Sequence, residues 1–517
     1  MKPSDEIFLL VKSMSAKEKL FFRKKFLSLI EDADNNYLKL FDEISKQAAN
    51  ENEYDENKIR KGNYAGKFIK NLPFHKNYLY NTILNSLSFF NKDYKDVYSI
   101  RNTITQSEIL ADKLLYDQSL KLLLRAKKTT LEKDLFNNHY EIINTERLIK
   151  KYVNSVEEYT LNVEELFKEQ NKILELNKNQ LDYYALNENV GIFLRSQGSG
   201  KVRGKEMLLE FEKIFDSPLL KSIGNAKSFL PKYIFYNLNL QYHLTKENYD
   251  EAYTCAKRAV ELCENNLDKL KGKLDNYIFA LNNLLNCEIR TKRYCIFDIT
   301  ASKLKEIPST FPNMLTESNR VFIFYCLAVL SLSKNMETFN IDKLKEVESE
   351  IRKDLNLYEI KITLYQRIIL YYFLSGSNFM QNDFEKCIYW NGKIFGIGKT
   401  DLSEDYQCYA RIIQLISYYE LGYIDSMEYA LKSAYQFISK KKKAYKYENI
   451  IQKYLRKSFR IKTDKELTSM FKEMKDEIEI LLNDPYEKNA LDAFNILYWL
   501  ESKIKKISVI EILRAKK

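Results

Sequence analysis

The segment RSQGSGKVRGK, residues 195–205, holds Gly198, Gly200 and Gly204 together with Lys201, Arg203 and Lys205, in a chain with only 13 glycines. Glycine backbone beside lysine is a way to cradle phosphate, because amides without a Cβ close in on the oxygens and the cation neutralises them. A nucleotide loop needs glycine, four residues, then Gly-Lys followed by Ser or Thr. Here Gly200-Lys201 is followed by Val202, Arg195 stands at the first glycine position, and the preceding YYALNENVGIFLRS reads as helix rather than strand. The dinucleotide and kinase glycine spacings fail as well. The segment is expected to be a loop between helices, with Lys201, Arg203 and Lys205 as candidate contacts for an anion.

A second candidate is KKKKAYKYENIIQKYLRKSFRIK, residues 440–462, in which ten basic residues alternate with Tyr445, Tyr447, Tyr454 and Phe459 and Glu448 is the single acid. Cations for phosphates and rings for stacking are what a single-stranded nucleic-acid surface uses. The candidate surface is Lys440, Lys441, Lys442, Lys443, Lys446, Lys453, Arg456, Lys457 and Arg460. Its plainer reading is an amphipathic helix, because Tyr447, Ile451, Tyr454, Leu455 and Ser458 fall on one face and the cations on another. The amino-terminal SAKEKLFFRKKFLSLI, residues 15–30, is also a basic amphipathic stretch, but no recognition-helix pattern accompanies it.

Other chemistry has little to stand on. His75, His139 and His243 are far apart, no HExxH or G-x-S-x-G occurs, and the seven cysteines form no CxxC. The carboxylates are scattered along polar faces. No catalytic residue, metal ligand or cofactor is expected. The cysteines, all from Cys255 onward, sit mostly in apolar helical patterns and read as reduced and buried.

The elements that carry these residues are helical. With 13 Gly and 7 Pro in 517 residues, the chain has few turn formers, while 38 Tyr and 30 Phe supply bulk for packing between helices. In KLDNYIFALNNLLNCEI, residues 273–289, apolar residues recur at three- and four-residue steps. Ser15-x-x-Glu18, Ser155-x-x-Glu158 and Thr463-x-x-Glu466 read as capping boxes. The prolines fall where one helix would give way to the next. The longest apolar run, VFIFYCLAVL at 321–330, is about half a membrane span. The stretch IFLLV at 7–11 is too short for a secretory signal. Net charge is +11, from 82 Lys and Arg against 71 Asp and Glu, which permits an acidic partner without requiring one. A cytoplasmic protein without membrane insertion is the expectation.

Five segments share a pattern. Tyr116, Tyr249, Tyr294, Phe384 and Ile424 each open a helix; Ser119, Ala252, Phe297, Cys387 or Met427 follows three residues on, and Ala126, Ala259, Leu304, Ile394 or Ala434 ten residues on. A weaker copy lies around Ile341 and Leu344. The spacing predicts about eight helix pairs with a period of roughly 40 to 47, helix candidates near 156–177 and 205–215 filling the long interval after Tyr116. One pair cannot bury both its apolar faces, so stacking is required.

ENYDEAYTCAKRAVEL and LGYIDSMEYALKSA resemble the second helix of the tetratricopeptide-repeat superfamily, with Gly422 at that family's turn glycine and Pro308 near its end-of-repeat proline. The resemblance spans roughly residues 97–460. It departs from the family in its longer period, in the missing glycine and proline of most copies, and in Phe297 and Met427 at the small position. It implies an all-α, right-handed superhelix with helical caps: residues 1–95, the repeat array 96–462, and residues 463–517. It further implies a non-catalytic scaffold or adaptor whose groove binds a protein segment or peptide. The alternative is a nucleic-acid-binding regulator that uses the amino-terminal bundle or the basic helix at 440–462.

Overall fold

The helical periodicity is realised throughout. The computed structural model describes residues 5–27, 36–50, 54–62, 64, 66–92, 95–196, 205–397, 404–440, 446–458, 461, 463–484, 487 and 495–515, and among these every regular element is a helix and none a strand. No described helix is long and apolar enough to cross a membrane. Packing divides the chain into two compact units, Met1–Gln170 and Asn171–Lys517.

The first unit contains α1 (Glu6–Ser13), α2 (Ala16–Leu27), α3 (Asn36–Asn50), α4 (Glu56–Arg60), α5 (Gly66–Lys70), α6 (Leu72–Phe90), α7 (Asp96–Asp112), α8 (Tyr116–Glu132) and α9 (Phe136–Val153). Its α1, α2, α3 and α6 enclose Phe8, Phe22, Phe41 and Leu72; α7, α8 and α9 enclose Ile104, Leu123 and Ile142. Helix α10 (Val156–Ser196) contributes residues to both units. The second unit continues with α11 (Lys205–Phe215), α12 (Phe229–Thr245), α13 (Tyr249–Glu264), α14 (Leu274–Arg290), α15 (Tyr294–Thr310), α16 (Glu317–Glu337), α17 (Ile341–Tyr358), α18 (Leu364–Met380) and α19 (Phe384–Gly396). It ends with α20 (Glu404–Leu421), α21 (Ile424–Lys440), α22 (Lys446–Ser458), α23 (Asp464–Leu481), α24 (Leu497–Lys505) and α25 (Val509–Ala515).

Consecutive helices pack as hairpins, and α14 also packs on α16, α16 on α18 and α18 on α20. This is the neighbour pattern of a helical repeat solenoid. The repeat anchors mark it: Tyr116, Tyr249, Tyr294, Ile341, Phe384 and Ile424 are each the first residue of a helix. The residues three and ten positions on are buried in all six copies. Where the position three on is small and polar it bonds across the hairpin: Ser119 Oγ lies 2.7 Å from Ser107 Oγ, and Cys387 Sγ donates to the Ser375 carbonyl at 3.3 Å.

One turn joins every such hairpin. Leu114, Glu247, Lys292, Phe339, Asn382 and Gly422, each two residues before an anchor, have φ between 52° and 71°, and Asp134 repeats the geometry before Phe136. The amide after each of them returns to the carbonyl five residues back, as in Arg293 N to Glu288 O (2.7 Å) and Tyr423 N to Tyr418 O (3.0 Å). The left-handed residue itself bonds to the carbonyl three back, as in Lys292 N to Ile289 O (3.0 Å). These two bonds are the Schellman arrangement, which satisfies carbonyls that a helix end leaves open. A left-handed conformation costs an L-residue about 1–2 kcal/mol, so tertiary packing holds it in the six non-glycine turns.

Several expectations are corrected. The helix expected near 156–177 runs on for 41 residues as α10. No proline interrupts it, and a side chain at its single Gly191 would meet nothing within 4 Å. Pro308 lies inside the last turn of α15 rather than between helices, and Pro231 lies in the first turn of α12, where no helical hydrogen bond is lost. Both Ser capping boxes form, whereas at Thr463 only the hydroxyl half of the box is made, from Glu466 N at 3.3 Å.

Candidate functional site

Of the anion-loop candidates, Lys201 and Arg203 lie outside the described residues, and Lys205 opens α11. Of the basic surface, Lys441, Lys442, Lys443 and Arg460 also lie outside them, and Lys440 ends α21. Lys446, Lys453, Arg456 and Lys457 are exposed on α22. Two of these four are already engaged: Lys453 pairs with Glu477 (2.7 Å) and Lys457 with Glu473 (2.9 Å), both on α23. The interleaved rings face inward, Tyr447 and Tyr454 being buried in the core, so neither presents a face for stacking on a base.

A catalytic-looking constellation that the sequence did not reveal lies in the first unit. Thr130 Oγ1 is 2.7 Å from His139 Nδ1, and His139 Nε2 is 2.9 Å from Glu169 Oε1, the hydroxyl–imidazole–carboxylate order of a nucleophilic triad. Burial pushes the imidazole below its ordinary value, so it is neutral near pH 7. A carboxylate only accepts, so Nε2 carries a proton toward Glu169. The single Thr130 hydroxyl hydrogen is contested between the Lys127 carbonyl, 2.8 Å away, and His139 Nδ1. Lys127 bridges Glu169 (2.6 Å) and Glu146 (2.9 Å), and Lys150 completes the cluster on Glu146 (2.9 Å). Thr130 and His139 are both 0% exposed, so no substrate carbonyl reaches the hydroxyl. The network fastens α8, α9 and the start of α10 to one another.

The other chemistry-bearing side chains are dispersed. Among the described residues no three His, Cys, Asp or Glu converge as a metal site. His75 stacks on Phe68 and shares a 2.7 Å hydrogen bond with Tyr37. All seven cysteines are free thiols; five are buried as expected, Cys255 is half-buried, and Cys295 departs from the expectation by being exposed. Burial pushes Cys263 and Cys287 up to about 12, away from a reactive thiolate.

A groove of about 700 Å³ lies in the second unit. It is lined by the second half of α14, by α16 from Phe322 to Glu337, by the middle of α18 and by the first turns of α20, with Glu247 and Tyr249 of the α12–α13 turn at its edge. Its floor is aromatic: Tyr372 lies 5.0 Å from Tyr406 and 6.2 Å from Tyr409 between ring centroids, and Phe322 lies 6.2 Å from Tyr325. Burial pushes the Tyr406 phenol up to about 12, and Tyr325 and Tyr372 higher, so the hydroxyls stay protonated. The lining carries the carboxamides of Asn282 and Asn286 and charges of both signs, Arg290 and Lys292 against Glu247, Glu337 and Asp405. Arg290 and Lys292 form no ion pair among the described residues. Such a surface offers ring faces, amide edges and charges of both signs.

The sequence hid this groove because its residues share helices with the core. In VFIFYCLAVL, Val321, Ala328 and Leu332 just beyond it go to the core, while Phe322, Tyr325 and Val329 line the groove. A helix apolar around its whole circumference is the signal that two faces are in use. No family model matches the chain, and no curated protein matches it.

Proposed function

We propose that this groove holds an extended segment of a partner protein and that the chain acts as a non-catalytic scaffold or adaptor in the cytoplasm. The observation that supports this reading is the tyrosine-floored groove that crosses four successive first helices. A peptide backbone needs donors and acceptors in alternation, which asparagine carboxamides supply, and its bulky side chains need ring surface. A lining with both signs of charge favours a segment carrying both, and disfavours a polyanion. On this reading the array winds as a right-handed, tetratricopeptide-like superhelix, residues 1–95 cap one end and 463–517 the other. Nucleic acid is the weaker alternative, since Lys453 and Lys457 already have carboxylate partners.

The test is affinity capture from native cells with and without nuclease, comparing the wild-type chain, Asn286→Trp in the exposed rim, and the double variant Lys453→Ala/Lys457→Ala. A protein held by wild type and by the lysine variant after nuclease, and released by Asn286→Trp, supports the groove. Capture that vanishes with nuclease or with the lysine substitutions moves the function to α22.

A further inference from the structure

On the side of α20 facing α19 and α21 lies a second depression of about 320 Å³, lined by Phe395, Arg411, Gln414, Tyr418, Tyr429 and Ser433 among others. Arg411 is its floor. The guanidinium is held between two rings, its carbon 3.7 Å from the centroid of Phe437 and 4.7 Å from that of Phe395. Only Nη1 is satisfied, donating to the Gln407 carbonyl at 2.9 Å. Nε is buried without a partner. Among the described residues no carboxylate pairs with the group and no acid lines the depression. Burial pushes Arg411 down to about 10, the direction expected of a cation removed from water without a counter-charge. One turn on, Gln414 is in the same state: its Nε2 reaches Tyr418 Oη at 2.7 Å while Oε1 is buried and unpartnered.

A half-buried cation whose Nε is shut off from water without a partner is a costly feature for a fold to carry. Two unsatisfied side chains of one helix face that meet in one open depression mark a place where a ligand supplies the missing bonds. The rings fix the guanidinium plane, and Nη1 is taken. The free part is the Nε–Nη2 edge, whose two parallel N–H groups match the two oxygens of a carboxylate. The charge also selects. One formal positive charge balances a monoanion, whereas a phosphate monoester dianion would leave a charge uncompensated among neutral lining groups. We infer that this depression between α19, α20 and α21 is a carboxylate-binding site, with Arg411 gripping the carboxylate side-on and Phe395 and Tyr429 flanking an apolar or aromatic remainder.

Equilibrium dialysis of the full chain against radiolabelled benzoate tests this, at ionic strength held constant with chloride. Wild type is expected to bind saturably, at one site per chain. Arg411→Met removes the fork and abolishes binding; Arg411→Lys keeps the charge without the fork and weakens it at least tenfold. Ser433→Trp changes an exposed lining residue, fills the depression, leaves the core untouched, and also abolishes binding. Absence of wild-type binding overturns the inference, as does undiminished binding by Ser433→Trp. Radiolabelled inorganic phosphate is the competing arm: binding as tight as benzoate's, lost in the same variants, would overturn the choice of a carboxylate.

Discussion

Lys292 and Gly422 occupy the same position in two hairpins: each is left-handed, at φ 58° and 71°, and each stands two residues ahead of the residue that opens the next helix, Tyr294 or Ile424. The same two backbone bonds close both turns. Only one of the two residues is suited to that conformation. Glycine adopts it without a steric penalty, whereas lysine brings its Cβ against the following carbonyl.

Exchanging the two residue types should therefore move stability in opposite directions. A Cβ at Gly422 meets nothing within 4 Å, so Gly422→Ala measures the backbone cost alone, about 1 kcal/mol of destabilisation. Lys292 is exposed and forms no ion pair among the described residues, so Lys292→Gly should stabilise by about 0.5–1 kcal/mol, the relief of strain less the greater freedom of an unfolded glycine. Urea midpoints at pH 7 read both. A loss of stability in Lys292→Gly would mean that its turn is not strained.

These turns also show how far the sequence can be read. The anchors and the buried positions three and ten residues on were legible, because large and small residues recur there at a fixed offset. The turn residues were not: Leu114, Asp134, Glu247, Lys292, Phe339 and Asn382 share no side-chain chemistry, and packing rather than residue type imposes their geometry. The groove tyrosines and Arg411 were hidden for a related reason. Each lies on a helix whose opposite face feeds the core, and a hydrophobic pattern registers the core first. Thr130, His139 and Glu169 meet only after three helices pack, which no local spacing announces.

The His139 cluster makes the first unit sensitive to acid. His139 faces Thr130, Glu169 and Lys127, and Lys127 in turn faces Glu146. Burial lowers its folded-state affinity for a proton below the ordinary value of 6.5, with Lys127 opposing protonation. The unfolded chain thus binds the proton first as pH falls. The stability contribution is complete above pH 6.5 and is lost below it. Glu169, held below the usual carboxylate range by hydrogen bonds from Lys127 and His139 despite burial, acts with the same sign at lower pH. The urea midpoint of residues 1–170, followed by hydrogen exchange in the intact chain, should fall between pH 7.5 and 5.5, and less steeply in His139→Gln. A midpoint independent of pH in wild type would refute the neutral buried imidazole.

Glu288 carries the opposite sign. It is fully buried on α14, accepts from Thr300 Oγ1 at 2.8 Å through one oxygen, and leaves the other without a partner. Burial raises its carboxyl from 4.5 to about 7. The folded state holds the proton more tightly than the unfolded chain, so the contribution is present below pH 4.5 and is lost as pH rises through 7. Glu288→Gln keeps the shape and an acceptor for Thr300 and removes the ionisation. It should raise the urea midpoint at pH 8 by the equivalent of about 1 kcal/mol or more, the desolvation of an unpaired buried oxygen, and change it little at pH 5. Equal effects at the two pH values would show that charge is not the cause.

The last helices earn their place through Trp499. It is fully buried on α24, edge-on to Tyr419 (5.9 Å) and Phe471 (5.4 Å), and its Nε1 donates to Glu420 of α20 at 2.5 Å. Lys503, one turn on, pairs with the same Glu420. A single carboxylate at the end of α20 thus receives both an indole and an ammonium from α24. Trp499→Ala removes the ring and strands the Glu420 carboxylate beside Lys503 alone, so it should cost about 3–5 kcal/mol. Trp499→Phe restores most of the apolar contact but not the donor, so it should recover more than half of that loss. If these contacts act locally, hydrogen exchange in Trp499→Ala will rise first in α20, α23 and α24, while α12–α15 keep their protection. Uniform loss of protection across residues 171–517 would show instead that the second unit unfolds as one cooperative block.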